Sequence, residues 1–428
     1  MSFTFRSAIS ERDSSAQLES QDCRLHVVML VDGFPNKIRP DNGIFNLRAA
    51  QGLARFARVT IVSLRAWLPG RQRIAFSQVE GLPVVTVCVP QVPSCPRTNV
   101  FLYRVLGSPM LHSVLENCSI VHSVGADCGV LGSIWARRAG VHHITQIIGS
   151  DIEVILPQLA NSRLISGWES YLHGVACNSQ YLANKFLALY SQVKNVRKIW
   201  RGVDLERFQP IGPAAGPLAA KAPVRFLFLG GMPNYSALPY RSNTKGAETV
   251  MQMWQASETK LAETHASLLI AGPMNNKDRV DRWRGSLRYP GQVHISGPIH
   301  PDLVPAYLRA SDVVLVPSLQ DGLPNVAVEA SACGRAVFGS TSGGIPEVVV
   351  HEKTGLLIPA GDVSAWKNAV VAYSDRLPSL TAMGKRARAR VEELFDASKY
   401  PVELMNLYQQ ALKEPLMTQH RASGTHLS

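Results

Sequence analysis

Long apolar runs are missing from this 428-residue chain. No window offers the about 18 uninterrupted apolar residues that a membrane-spanning helix needs. The first residues, MSFTFRSAISERDSSAQLESQDC, contain acids and no apolar core, so they do not read as a secretory signal, and a cytoplasmic location is the default. Cysteine is sparse and unpaired in pattern: the seven, Cys23, Cys88, Cys95, Cys118, Cys128, Cys177 and Cys333, are scattered and nowhere form CxxC. Buried reduced thiols account for them better than a disulfide framework or a zinc site. No G-x-G-x-x-G joins the first strand to its helix, which argues against a dinucleotide oxidoreductase. D-x-D is absent as well.

What is present is a folded, two-domain composition. The chain is 46% hydrophobic and 18% charged, and it is too long for one comfortable core. Short runs rich in Val, Ile and Leu alternate with helical patterns: RLHVVMLVDG, RVTIVSL, PVVTVCVP, SIVHSVG, HHITQIIGS, GVACNS and VRKIW. QPIGPAAGPLAAKAP (209–223) interrupts them with four prolines and two glycines and reads as an interdomain linker. The alternation then restarts with VRFLFLGG, SLLIAG, VHISG, DVVLVPS and AVFGS. The expected architecture is α/β: two Rossmann-like, doubly wound domains (23–208 and 224–395) facing across a cleft at the carboxyl ends of both sheets. Residues 1–22 and 413–428 read as flexible tails, and 396–412 as a C-terminal helix with a crossing back to the first domain as the expectation.

The most informative stretch is QDGLPNVAVEASACGRAVFGSTSGGIPEVV (320–349). DVVLVPS before it is a buried strand, GLP a turn, and Pro324 opens a helix that Gly334 ends. Asp321 is thereby expected on the loop at the strand's carboxyl end and Glu329 inside the helix, both able to approach one ligand. The helix start exposes backbone N–H groups suited to an anion, and Gly343-Gly344 lets backbone approach a phosphate closely.

The spacing D-x7-E followed by ACG, SGGIPEVV, GLLIPAGD and AW resembles the donor site of retaining GT-B glycosyltransferases of the glycosyltransferase family 4 type. NGIFNLRAAQGLA (42–54), IGSDIE (148–153), ACNSQYL (176–182), RGVDLERFQP (201–210), KGAETV (245–250) and LLIAGP (268–273) extend the resemblance over most of the chain. It implies a GT-B fold and transfer of a sugar from a nucleotide-sugar with retention of anomeric configuration, without a metal or other cofactor. Glu329 would hold the ribose hydroxyls, Asp321 would lie near the donor sugar's hydroxyls, and Lys245 would neutralise the diphosphate. Asn325 and Val326 would present backbone to the diphosphate or sugar. Glycan or lipid-linked molecules are the expected acceptors. A catalytically silent nucleotide-sugar binder and a GT-B epimerase are the alternatives.

Several positions depart from the family pattern. Ile148 stands where a histidine is common and Gly231 where an arginine is familiar, with Arg241 a substitute on the loop that follows. Asp321 replaces a glutamate and RGVD replaces NGVD. Other residues carry two readings. Gly43 either meets the donor phosphate or simply makes a turn. Asp151 either orients an acceptor or caps a helix, and Glu347 either reaches the donor or favours a helix start by its charge. His122, at a strand's carboxyl end, is a candidate for the acceptor side of the cleft, whereas His142 and His143 read as structural.

The charge of +12 is uneven: Lys37 to Arg104 holds ten basic residues against Asp41 and Glu80. Within RAWLPGRQRIAF, Arg65, Arg71 and Arg73 interleave with Trp67 and Phe76, a pattern suited to an anionic membrane surface. No nucleic-acid motif accompanies it, so nucleic acid is not an expected partner.

Overall fold

The structure, a computed structural model, describes residues 25–36, 42–92, 95–149, 151–157, 167–219, 223–232 and 244–416. The tail expected over residues 1–22, most of the one expected over 413–428, and Arg241 lie outside the described residues.

The first sheet has eight strands in the order β3-β4-β2-β1-β5-β6-β7-β8. Its strands are β1 (His26–Val31), β2 (Arg58–Ala66), β3 (Ile74–Val79), β4 (Leu82–Val89), β5 (Ile120–Val124), β6 (His142–Ile147), β7 (Gly174–Cys177) and β8 (Val196–Lys198). All pairings are parallel except β3 with β4. The interior strands are buried along almost their whole length, as in the all-buried pattern of β5, because helices cover both faces. The second sheet is fully parallel, in the order β11-β10-β9-β12-β13-β14. It comprises β9 (Arg225–Phe228), β10 (Ser267–Ile270), β11 (Val293–Ile295), β12 (Val313–Val316), β13 (Ala336–Ser340) and β14 (Gly355–Ile358). These are the two doubly wound domains expected, and the strand order reverses beside β1 in one sheet and β9 in the other.

Two strands escaped the sequence pattern. IAFSQV forms β3, an antiparallel edge strand whose side chains are mostly exposed, so it shows no apolar run. GLLI forms β14, an edge strand inside the motif GLLIPAGD.

The proline-rich stretch is less of a tether than its composition suggests. Phe208 and Leu218 are both buried in the second domain's core, and Arg309 donates to the carbonyls of Pro213 and Gln209. The chain therefore enters the second domain before residue 209. It does so next to its return: Val203 bridges Asp396, with Val203 N–H donating to Phe395 O at 2.8 Å. From there the C-terminal helix Lys399–Ala411 lies on the first domain, where Tyr400, Leu404, Leu407, Tyr408 and Ala411 join the core formed by β1, β2 and the helix Ile44–Ala54.

Because Leu404 is completely buried in that core, Leu404→Ala should destabilise the protein by about 2–5 kcal/mol. Denaturant unfolding followed by circular dichroism measures this, and an unchanged midpoint would show that the helix does not support the first domain.

Candidate functional site

The loops after β9 and β12 leave the second sheet at its switch point, where a crevice between diverging connections receives ligands. Lys245, just before the helix Ala247–Glu263, and Asp321, on the loop after β12, meet there as an ion pair, Nζ to Oδ2 at 2.5 Å. Ser318 Oγ stands 3.4 Å from the same oxygen. Asp321 is largely shielded while Lys245 remains half-exposed, so the lysine is accessible to an incoming anion. The helix Asn325–Ala332 begins directly after Pro324 without a side-chain cap. Asn325 and Val326 thus present first-turn N–H groups that have no intrahelical acceptor.

Glu329, one turn further along, stands at the wall of two adjoining cavities. The larger, about 980 Å³, is lined by Val326, Gly272-Pro273 and Ile299–Pro301 of the second domain and by Ile44, Arg48 and Gln51 of the first. The smaller, about 510 Å³, lies among Arg48, Arg201, Asn325 and the start of the C-terminal helix. Burial raises the Glu329 carboxyl from 4.5 to about 7, against the pull of the Arg48 and Arg207 guanidinium groups nearby. Arg207 is itself held by Pro301 O and by Asp302 at 3.2 Å. Arg48 was not singled out in the sequence; the available signal was a lone cation one turn beyond Gly43 in an otherwise uncharged helix.

Gly43 caps that helix at φ 70°, and a Cβ there would stand 2.2 Å from Gly33 O. It precedes Ile44 of the cavity wall, so the close turn is what aims the helix at the cleft. Gly231 has a similar explanation: at φ 64°, its Cβ would fall 2.5 Å from Pro273 O. An arginine cannot stand there without displacing the Gly272-Pro273 wall.

Other expected residues have different roles in the structure. His122 is fully buried, Nδ1 lies 2.5 Å from Tyr408 Oη, and burial beside Arg201 lowers its pKa to about 3. It is a neutral residue packed under the C-terminal helix rather than a group facing an acceptor. Asp151 accepts from the N–H groups of Ile148 (2.8 Å), Gly149 (2.6 Å) and Ile152 (3.1 Å), so its carboxylate shapes its own loop. Burial raises its pKa while those bonds oppose the shift. Glu347 accepts from Tyr181 N–H (3.1 Å) and Trp200 Nε1–H (3.0 Å). Gly343 and Gly344 pack behind Asp321: Gly344 N–H donates to Asp321 O at 3.2 Å. Ser179 is a helix cap, accepting from Leu182 N–H.

In the basic segment, Arg65 turns inward and donates to Phe34 O at 2.8 Å, which removes it from the surface set. Trp67 is half-buried and donates to Arg71 O, while Arg71, Arg73 and Phe76 are exposed, Phe76 by 67%. Among the described residues, no group of three or more His, Cys, Asp or Glu could hold a metal ion, and no helix is long and apolar enough to cross a membrane.

Known proteins resemble this chain in sequence and in fold. Residues 223–375 match the family model described as glycosyl transferases group 1. The D-inositol 3-phosphate glycosyltransferase of Saccharomonospora viridis is 29% identical over 244 residues, 55% of each chain. The chain thus spans about half the length of the curated relatives it matches first. The UDP-Gal:alpha-D-GlcNAc-diphosphoundecaprenol alpha-1,3-galactosyltransferase of Escherichia coli is 23% identical over 386 residues, 82% of this chain and 96% of that one. Among solved structures, sucrose-phosphate synthase from Thermosynechococcus elongatus superposes with a TM-score of 0.69 at 20% identity, covering 90% of this chain and 99% of that one. That likeness establishes the fold as GT-B.

The raised Glu329 pKa has a definite sign. Between about pH 4.5 and 7 the folded protein keeps a proton that the unfolded chain has released, so this carboxyl's contribution to stability is lost as pH rises through that window. Arg48→Ala removes one of the two opposing cations and should move the Glu329 midpoint above its wild-type position. Carboxyl carbon-13 NMR titration reads this directly; an unmoved midpoint would show that Arg48 does not act on Glu329.

Proposed function

Since its second domain belongs to the glycosyl transferases group 1 and the chain folds as GT-B, we propose that this protein transfers a sugar from a nucleotide-sugar to an acceptor hydroxyl, retaining the anomeric configuration. The observation that carries this reading is the Lys245–Asp321 pair and the uncapped start of the helix Asn325–Ala332 at the second sheet's carboxyl edge, with Val326 and Glu329 of that helix lining a cavity of nucleotide size. Glu329 accepts from the ribose hydroxyls, and Lys245 exchanges its partner Asp321 for the diphosphate. The released Asp321 carboxylate then faces the hydroxyls of the donor sugar. As the bond from the anomeric carbon to phosphate oxygen breaks, Lys245 and the first-turn N–H groups of Asn325 and Val326 stabilise the charge on the leaving diphosphate. The acceptor oxygen bonds to the anomeric carbon from the face that the diphosphate vacates, and its proton passes to a diphosphate oxygen. No metal enters this account.

For the acceptor we propose a glycan or lipid-linked molecule, received by the first domain. The Escherichia coli relative, named for a diphosphoundecaprenol-linked acceptor, supports this over nearly its whole length. The exposed Arg71, Arg73 and Phe76 give the first domain a basic and apolar edge suited to an anionic bilayer.

The test is binding and slow hydrolysis of UDP-, GDP- and ADP-sugars, with and without EDTA. One donor should bind selectively and release its nucleoside diphosphate in either condition. Glu329→Ala should weaken that nucleotide at least tenfold, the weight of one or two hydrogen bonds to a charged group, and unchanged affinity would overturn its assignment. For the membrane contact, flotation with phosphatidylserine vesicles should carry the wild type and lose the Arg71→Glu/Phe76→Ser variant; equal flotation of both would remove that edge from the proposal.

A further inference from the structure

We propose that Glu347 is an interdomain clasp, a positioning residue that sets where Asp321 stands by tying its supporting loop to the first domain. The inference rests on the transfer reading for its effect on turnover, but the clasp itself is visible without substrate.

Glu347 lies in the single-turn helix Ile345–Val348, directly after Gly343-Gly344. Its two carboxylate oxygens go to different elements. Oε1 accepts from Tyr181 N–H at 3.1 Å, in the first turn of the helix Gln180–Leu189, and Oε2 accepts from the Trp200 indole at 3.0 Å. The Tyr181 N–H has no intrahelical acceptor at that position, and a carboxylate there also meets the positive end of the helix. Trp200 follows β8 just before the chain crosses between domains, and its ring packs on Phe395 at 4.4 Å between centroids, at the point of return. Lys198 Nζ sits 3.6 Å over the same ring. From the second domain, Arg390 holds the backbone beneath the clasp, donating to Glu347 O at 2.7 Å and Val348 O at 3.2 Å.

The contact that this carboxylate secures is a close approach of glycine backbone to the first domain. A Cβ on Gly322 would lie 2.8 Å from Gly149 Cα, Ile148 O and Leu182 Cδ1, and one on Gly344 would lie 2.1 Å from Gly322 O and 3.0 Å from Ser179 Cβ. Asp321 is the residue before Gly322, and its carbonyl accepts from Gly344 N–H. A shift of the Gly343–Glu347 segment relative to the first domain therefore moves Asp321 with it. Glu329 stands on another element of the second domain, and Lys245 gives up Asp321 when the diphosphate binds, so nucleotide binding and the alignment of the sugar against the acceptor side separate.

The variants are Glu347→Ala and Trp200→Phe, the second keeping the ring that packs on Phe395 while deleting only the N–H. Tyr181 amide hydrogen exchange, measured on the unliganded full chain, should be faster in Glu347→Ala; unchanged exchange would overturn the clasp. In the transfer assay both variants should lower kcat roughly ten- to a hundredfold, with the nucleoside diphosphate Kd unchanged, and the double variant should lose little beyond the larger single loss. A fall in nucleotide affinity that matches the fall in kcat would make Glu347 a donor ligand instead and overturn the inference, as would additive losses in the double variant. If Glu347→Ala does not fold, Trp200→Phe carries the kinetic test alone, and an unchanged kcat then overturns the proposal. Failure of the wild type to bind any nucleotide-sugar would end the transfer reading, while amide exchange at Tyr181 would still decide the clasp.

Discussion

The cleft depends on one constraint: the chain crosses between its two sheets twice at the same place, where Val203 bridges Asp396. Each parallel sheet needs helices on both faces, and the first domain completes its cover with a helix from the far end of the chain. Tyr400, Leu404, Leu407 and Tyr408 contribute a face to the first core, so the two domains share covalent and packing interests. A tether through residues 209–223 alone would leave their separation to a flexible segment. The two crossings run side by side, and Phe208, just beyond the first, is buried in the second domain's core.

Electrostatics in the cleft follow from that proximity. Asp321 finds its counter-charge within the second domain, at Lys245, whereas Glu329 feels Arg48 from the first domain and Arg207 from the crossing. Burial works against the charged form of Glu329, and the nearby cations work in its favour. The Glu329 end of the cleft is thus electrically a product of both domains, although the spacing that points to it lies in one.

The polar network under the C-terminal helix shows the complementary case. Arg201 donates to Asn46 and Gln146, Tyr400 donates to Gln146 at 2.8 Å, and His122 meets Tyr408. These groups join β5, β6, the first helix and the last one. A histidine at a strand's carboxyl end is a reasonable candidate for a cleft, but the bond that occupies it comes from a residue 286 positions away. Such a partner leaves no local trace.

Spacing along the chain was sufficient for the fold class and for the placement of Asp321 and Glu329 on the loop and helix that follow β12. Parallel strands buried on both faces must be short and apolar, and a loop followed by a helix at a strand's end must put Asp321 and Glu329 on one edge. Local pattern also marked Gly43, because a turn's backbone demands are written in its own residues. What tertiary structure alone decided is where polar side chains point once a distant partner competes for them. Arg65 turns to Phe34, Asp151 closes on its own loop, and Glu347 leaves the donor for Tyr181 and Trp200. The physical reason is range: sequence periodicity assigns a residue to a face or an edge, while the hydrogen bond that satisfies a buried charge is chosen among groups that meet only after the domains pack.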